Sequence, residues 1–262
     1  MPAAPNEPVL LRRDDGPVAI LTLNRPHAMN ALSGELIDAL QAEFDRFAKD
    51  KEIRCVVIEA TGRAFSTGHD LREVASSRDY AFHHDLLTRC AAMMISIRHL
   101  PQPVIAKVHA IATAAGCQLV AACDLAVAAD SARFAVSGVN LGLFCSSPSV
   151  PLTRNVARKP AFEMLVTGEF ISADEARARG LVNRVASMEA LDGAVESLVA
   201  AIVAKPRSAI ALGKALFYRQ IESGAEAAYE DAARTMACNM MEADTLEGVQ
   251  AFIDKRKPVW PS

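Results

Sequence analysis

Two short stretches concentrate the residues whose types and spacing could do chemistry. Ala64-Phe-Ser-Thr-Gly-His-Asp-Leu71 and Ala112-Thr-Ala-Ala-Gly-Cys-Gln118 each follow a run of apolar residues, Cys55-Val-Val-Ile58 and Val104-Ile-Ala-Lys-Val108. Small residues at a strand end let a ligand approach main-chain N–H groups, and a helix opening there turns its positive dipole end to the same point. Together they could form an anion hole; the same small residues equally suit tight packing of a helix on a sheet. Cys145 is a candidate nucleophile, but no histidine stands beside it in sequence and buried inert thiols are common. Ser146 or Ser147, just before Pro148, reads more simply as a helix N-cap. His109, at the end of a strand, reads as a structural histidine, and His69 as a buried or solvent-facing imidazole with no required role for its ring.

The elements that must position these residues follow from periodicity. Val9–Leu11 and Val18–Leu23, joined across Asp-Asp-Gly-Pro17, predict an opening β-hairpin. Ser33 as N-cap, with Leu36, Leu40, Phe44 and Phe47 at helical spacing, predicts a helix to about Asp50. Cys55–Ile58 and Val104–Val108 read as strands covered on both faces, which suits a parallel sheet. A loop over Thr61–Leu71, a helix over Tyr80–His99 and a small-residue turn at Ala110–Gly116 lie between and after them. Beyond these come a helix at Leu119–Ala122 and strands at Leu125–Ala128 and Arg133–Ala135. Ser172-Ala-Asp-Glu175 is a capping box and Gly180 a C′ glycine, and from Met188 onward the pattern is helical. The alternation predicts an α/β core over residues 9–205, a C-terminal helical segment over 206–262, and a loose tail over 1–8.

Composition narrows the class. The chain has 262 residues, 51% hydrophobic and 23% charged, which excludes wholesale disorder. A formal charge of -3 without a long basic run argues against nucleic acid or an anionic membrane surface as main partner. The most apolar stretch, Val108–Cys123, is broken by His109, Gly116 and Gln118 and reads as buried, with no membrane span. The six cysteines form no C-x-x-C pair and no secretory signal is evident, so free thiols in a reducing, cytoplasmic setting are expected.

The sequence resembles the crotonase, or enoyl-CoA hydratase/isomerase, superfamily. The resemblance rests on Leu23-Asn-Arg-Pro26 with Asn30-Ala-Leu32, on Ala64–Leu71, and on Ala114-Ala-Gly-Cys-Gln-Leu119 with Cys123-Asp124. Ile171-Ser-Ala-Asp-Glu-Ala176 and Gly180-Leu-Val182 extend it, so that it covers roughly Val18 to Pro258. Ala-Ala-Gly-Cys-Gln with Gly-Leu-Phe-Cys-Ser146 is similar to a subgroup of hydratase domain-containing proteins whose name reports fold more than reaction.

The resemblance implies a spiral of ββα units, C-terminal helices that pack a homotrimer or a dimer of trimers, and an acyl-CoA thioester in each subunit. It implies no metal and no cofactor beyond the coenzyme A of the substrate itself. The family's two oxyanion-hole amides match His69 and Ala115. Arg25, His27, Ala28, Ala64 and Ser66 would line the coenzyme A channel, with Asp70 ordering the loop. Gly68, Leu71, Gly116, Gly138 and Asn140 fall at further substrate-binding positions, and Lys255 could reach a phosphate. Trp260 could anchor the terminal segment to apolar surface.

One departure bears on the reaction. Hydratases of the family use two glutamates, and the matching positions here hold Gln118 and Gly138; the acid of the dienoyl isomerases would fall near Ser146 and is also missing. An amide orients water but cannot accept and return a proton at ordinary pH. Three readings stay open: an enolate-stabilising acyl-CoA enzyme of unassigned proton handling, a non-catalytic acyl-CoA-binding protein, and a slow hydratase that holds water on Gln118.

Overall fold

In a computed structural model residues 7–261 are described, so the expected N-terminal tail lies, up to residue 6, outside the described residues. β1 (Leu10–Asp15) and β2 (Val18–Leu23) form the expected hairpin, with Leu10 opposite Leu23 and Asp15 opposite Val18. Asp14 and Asp15, expected in the turn, belong to β1: they pair with Ala19 and Val18, and the reversal is confined to Gly16, at φ +55°, and Pro17. α1 (Gly34–Phe47) starts where Ser33 Oγ accepts the Leu36 amide, and it buries Leu36, Leu40, Phe44 and Phe47.

A repeating unit follows. β3 (Cys55–Ala60) leads to β4 (Ala64–Ser66) and then to α2 (Leu71–Ala75) and α3 (Tyr80–His99). β5 (Val104–Val108) leads to β6 (Ile111–Thr113) and α4 (Ala115–Ala122). β7 (Leu125–Ala129) leads to β8 (Arg133–Ala135), a 3-10 turn over Ser137–Leu141, and α5 (Ser146–Asn155). The chain closes through α6 (Arg158–Thr167), β9 (Ile171–Ser172), α7 (Ala173–Ala178), β10 (Arg184–Ala186), α8 (Leu191–Val203), α9 (Arg207–Gln220), α10 (Ala225–Met240) and α11 (Ala243–Ile253).

The long strands form one six-stranded sheet in the order β1-β2-β3-β5-β7-β10, and the short ones a second sheet, β4-β6-β8-β9. Each turn of the spiral adds one strand to each sheet. The short strands β4 and β6 lie within stretches expected to be loop or turn; three residues are too few to show a periodicity, and only their mutual pairing makes them strands. Val56, Ile58, Val104 and Ala106 face the core between the sheets, while Cys55, Val57, Ile105 and Val127 face α8. Both faces of β3 and β5 are therefore covered, which accounts for their unbroken apolar sequences. The capping box holds at α7, where Glu175 Oε2 accepts the Ser172 amide at 2.8 Å and Gly180 follows at φ +85°.

α9 is fastened to this core by a buried ion pair. Lys214 Nζ lies 2.6 Å from Asp124 Oδ2 and donates to the carbonyls of Ile97 and Gln102 at 2.8 Å each. The other oxygen of Asp124 accepts the Tyr218 hydroxyl at 2.7 Å. Burial depresses the Lys214 pKa, with Asp124 opposing that shift, and burial raises that of Tyr218. Removing one member of such a pair strands the other charge. Lys214→Met is expected to destabilise the protein by about 3–5 kcal/mol. Arg234→Gln, which breaks only an exposed pair with Glu230, should stay within about 0.5 kcal/mol. Urea unfolding at matched protein concentration checks both.

Candidate active site

The spiral brings the N-terminus of α4 against the loop between β4 and α2. Ala114 turns the chain out of β6 at φ 50°, ψ -123°, a conformation that favours glycine, and its own amide is held by the Ala135 carbonyl at 3.0 Å. A non-glycine residue held there stores about 1–3 kcal/mol, a cost that the surrounding structure must impose. The strain places the Ala115 amide at the head of the helix, where no preceding turn supplies a carbonyl for it. Thr113 Oγ1, 2.8 Å from Ser137 Oγ, ties this corner to the next turn of the spiral.

The facing loop is set by backbone pairing. Leu32 donates to the Gly68 carbonyl at 2.7 Å and accepts the Asp70 amide at 3.2 Å. In this parallel bridge the intervening His69 N–H points away from Leu32. Gly68, at φ +91°, comes so near α4 that a Cβ on it would stand 2.8 Å from Ala114 Cβ and 3.0 Å from the Ala115 nitrogen. Gly116 is tighter still: a Cβ there would stand 2.2 Å from the Ser66 carbonyl oxygen. The two glycines thus let backbone meet backbone, and the Ala115 amide lies beside the residues that carry the His69 amide.

Several residues hold this arrangement. Arg25 Nη2 lies 2.8 Å from Asp70 Oδ2, and Asp70 Oδ1 caps α2 through the Arg72 amide at 3.0 Å. Burial works against the Asp70 carboxylate, but Arg25 and the α2 amides outweigh it and keep the pKa below the ordinary carboxylate range. Asn30 is fully buried; its amide donates to the carbonyls of Thr61 and Ala64, and its oxygen accepts the Arg25 amide at 2.8 Å. The His69 pKa is lowered by burial, with the Leu32 backbone and Glu73 opposing, and Nδ1 is buried without a partner. The imidazole is therefore neutral at pH 7.

The positions that differ from a hydratase pattern are specific in shape. Gln118, in the first turn after Ala115, is 3% exposed, and its Oε1 is buried without a partner. Gly138 donates its amide to Cys145 Sγ at 3.2 Å, and a Cβ on it would lie 2.4 Å from the Leu143 carbonyl oxygen and 2.8 Å from that sulfur. A carboxylate side chain has no room there unless residues 143–145 move. Burial raises the Cys145 pKa against the opposing Gly138 amide, which leaves a thiol and not a thiolate at neutral pH. Cys117, near it, is pushed up to about 12 by burial.

Arg25, Ala64, Ser66, Gly68, His69, Asp70, Ala115 and Gly116 converge, with Leu71 at the start of the next helix. His27 and Ala28 stand at their edge in the turn whose Pro26 packs on Gly62. Asn140 is exposed and turns to the Gly168 carbonyl at 3.4 Å. Lys255 is exposed in the turn after α11, where neighbouring Arg256 is committed to Glu247 at 2.6 Å. Trp260 donates to the Ala204 carbonyl at 2.9 Å and so fastens the terminal segment to α8. His109 bonds the Gly62 carbonyl at 2.9 Å, as a structural histidine does.

Ser146 is the first residue of α5 and not its cap; Cys145 precedes the helix and Ser146 Oγ turns to the Phe144 carbonyl. Helix α4 begins at Ala115, earlier than expected, because the small residues read as a turn carry both β6 and the first helical turn. The strained Ala114 and the Thr113–Ser137 bond escape sequence reasoning, since neither residue type signals its role. Asn30 had a signal, an asparagine beside a turn, but two of its three partners, Thr61 and Ala64, are distant in the chain. Among the described residues no group of three potential ligands could hold a metal, and no helix is long and apolar enough to cross a membrane.

Comparison with known proteins agrees with this architecture. The enoyl-CoA hydratase/isomerase family model matches residues 13–262. The chain is 43% identical to rat enoyl-CoA hydratase domain-containing protein 3, mitochondrial, over 99% of this chain and 87% of that protein. The crystal structure of the human counterpart superposes with a TM-score of 0.94 at 41% identity, covering 96% of this chain and 100% of that one. An enoyl-CoA hydratase from Mycobacterium smegmatis gives a TM-score of 0.96 at 59% identity, covering 98% and 100%. These relatives correct the cytoplasmic expectation: the rat and human proteins are named as mitochondrial. Free thiols fit a reducing compartment but do not choose among such compartments. With its spiral of paired strands and a family match over almost its full length, this α/β chain belongs to the enoyl-CoA hydratase/isomerase family.

Proposed function

We propose that the chain binds an acyl-CoA thioester with the carbonyl oxygen between the His69 and Ala115 amides, and that it stabilises the enolate-like charge formed there. One observation supports this reading: the loop of Gly68 comes so near the amide nitrogen at the head of α4 that a Cβ on Gly68 would stand 3.0 Å from it, next in sequence to the His69 amide. Each such donor is worth roughly 10²–10³ in rate. Coenzyme A enters as part of the substrate, along the Arg25–Ala28 turn and the Ala64–Ser66 strand, with Lys255 available to a phosphate. Ordinary hydration is not supported. Gln118 cannot take and return a proton, and the space beside Gly138 is occupied by the Leu143 carbonyl and Cys145.

That same crowding favours a second reading, a non-catalytic acyl-CoA-binding protein. A third, slow hydration by water held on Gln118, makes a separate demand on that amide. The C-terminal segment, 206–262, is proposed to pack a homotrimer or a dimer of trimers; it exposes Met236, Met241, Leu246 and Phe252, apolar side chains on successive helices.

Mass spectrometry of butyryl-CoA and crotonyl-CoA incubated with the protein in D₂O separates these readings. Deuterium at the α-carbon without addition of water is the expected result; bound but unchanged thioesters would instead establish the binding protein. Gly116→Ala, which drives a methyl group into the Ser66 carbonyl, should lower the exchange rate at least about 10²-fold while the chain stays folded by circular dichroism. If crotonyl-CoA gains water, Gln118→Ala should abolish that gain, and a rate that survives the substitution would reject the Gln118-held water.

A further inference from the structure

A cavity of about 360 Å³ lies behind Gln118, between α4 and the helices α3, α5 and α9. Its volume is in the range of small-molecule sites. We infer that this cavity receives the far end of the acyl chain and that its rim selects a chain ending in a carboxylate, which makes a dicarboxylic acid monothioester of coenzyme A the preferred ligand class. The inference rests on the reading that the His69 and Ala115 amides hold the thioester.

Gln118 forms the junction between the two sites. In a helix the Cα–Cβ bond tilts toward the N-terminus, so this side chain lies back over the turn that begins at Ala115. It lines the cavity and keeps a buried amide oxygen without a partner, a group that a ligand or a water must satisfy. Past it the wall is apolar, made by Met94, Ala121 and Ala122, and Ile95, Val150 and Phe217 border the opening.

Two arginines stand at that opening, on helices α3 and α5. Arg98 and Arg154 both reach a single oxygen of Glu222, at 3.2 and 3.1 Å. Arg98 is also held over the Tyr218 ring, 4.8 Å from its centroid, and donates to the Tyr218 carbonyl at 3.3 Å. Arg154 donates to the Val150 carbonyl at 3.0 Å. Both guanidinium groups are thus fixed in place and retain N–H donors in fork geometry. The remaining acid of the lining, Asp124, is already neutralised by Lys214. Two guanidinium charges against the one Glu222 carboxylate leave a single positive charge uncompensated. A carboxylate at the end of an otherwise apolar chain matches both the wall and this residual charge.

Isothermal titration of matched coenzyme A esters tests the assignment: glutaryl against valeryl, adipoyl against hexanoyl, and suberoyl against octanoyl, with acetyl-CoA as the short reference. At least one diacid should bind about 10-fold tighter than its partner, and the advantage should shrink with added salt. Arg154→Gln should remove most of the advantage and leave the monoacid within about 2-fold, and Glu222→Gln should enlarge it. Met94→Trp, which fills the cavity, should weaken the longer esters and spare acetyl-CoA. Equal affinity within every pair, or an advantage that survives both Arg98→Gln and Arg154→Gln, overturns the inference. Binding of acetyl-CoA but no longer ester would refute the cavity as the acyl subsite alone. If acetyl-CoA also fails to bind, the thioester reading falls, and the inference with it.

Discussion

The close approach of Gly116 to the Ser66 carbonyl is the constraint on which the candidate site depends. A spiral that adds one strand to each of two sheets per turn leaves consecutive loops stacked at the same edge, and only the absence of side chains lets them touch through their backbones. Everything near this contact serves to hold it. Asn30 ties the β4 segment from below, the Arg25–Asp70 pair fixes the start of α2, and the Ala135 carbonyl keeps Ala114 in its strained turn. The strain at Ala114 is opposed by this bonded framework, which is how an unfavourable conformation persists in a folded chain.

The donors proposed for this site are main-chain N–H groups, and that choice would set its electrostatics. They carry no pKa in the working range and need no charged partner, so the site keeps its polarity at any pH at which the fold survives. A buried ion pair, Lys214 with Asp124, stands at the opposite end of α4 and fastens a helix of the C-terminal segment to the core. This anchor and the proposed Ala115 donor thus lie at different ends of the same short helix.

How much of this could be read from the sequence differs by element. The strands β2, β3 and β5 and the helices α1, α3 and α7 carry long periodic or capped patterns and stand where those patterns predict. β4 and β6 do not: each has three residues and owes its form to pairing with a neighbour distant in the chain. The small residues within 64–71 and 112–118 stand together in the fold, yet composition alone left ligand binding and tight packing equally open. The structure shows the tight packing itself, at Gly68 and Gly116, and the proposed ligand site is built on that packing. Lys255 and Asn140 could be drawn into the site only by family resemblance; Asn140 turns to the Gly168 carbonyl, and Lys255 is exposed in the turn after α11.

The filled space beside Gly138 has a consequence for how this branch of the family can change. A glutamate introduced at that position alone meets the Leu143 carbonyl and the Cys145 sulfur, and a glutamate at 118 alone gains no acid at 138 to work with. Neither exchange brings back two-acid chemistry without a concerted rearrangement of residues 143–145. Two-acid chemistry at positions 118 and 138 is therefore reachable from this chain only through coupled changes, like a ratchet in which no single step holds by itself.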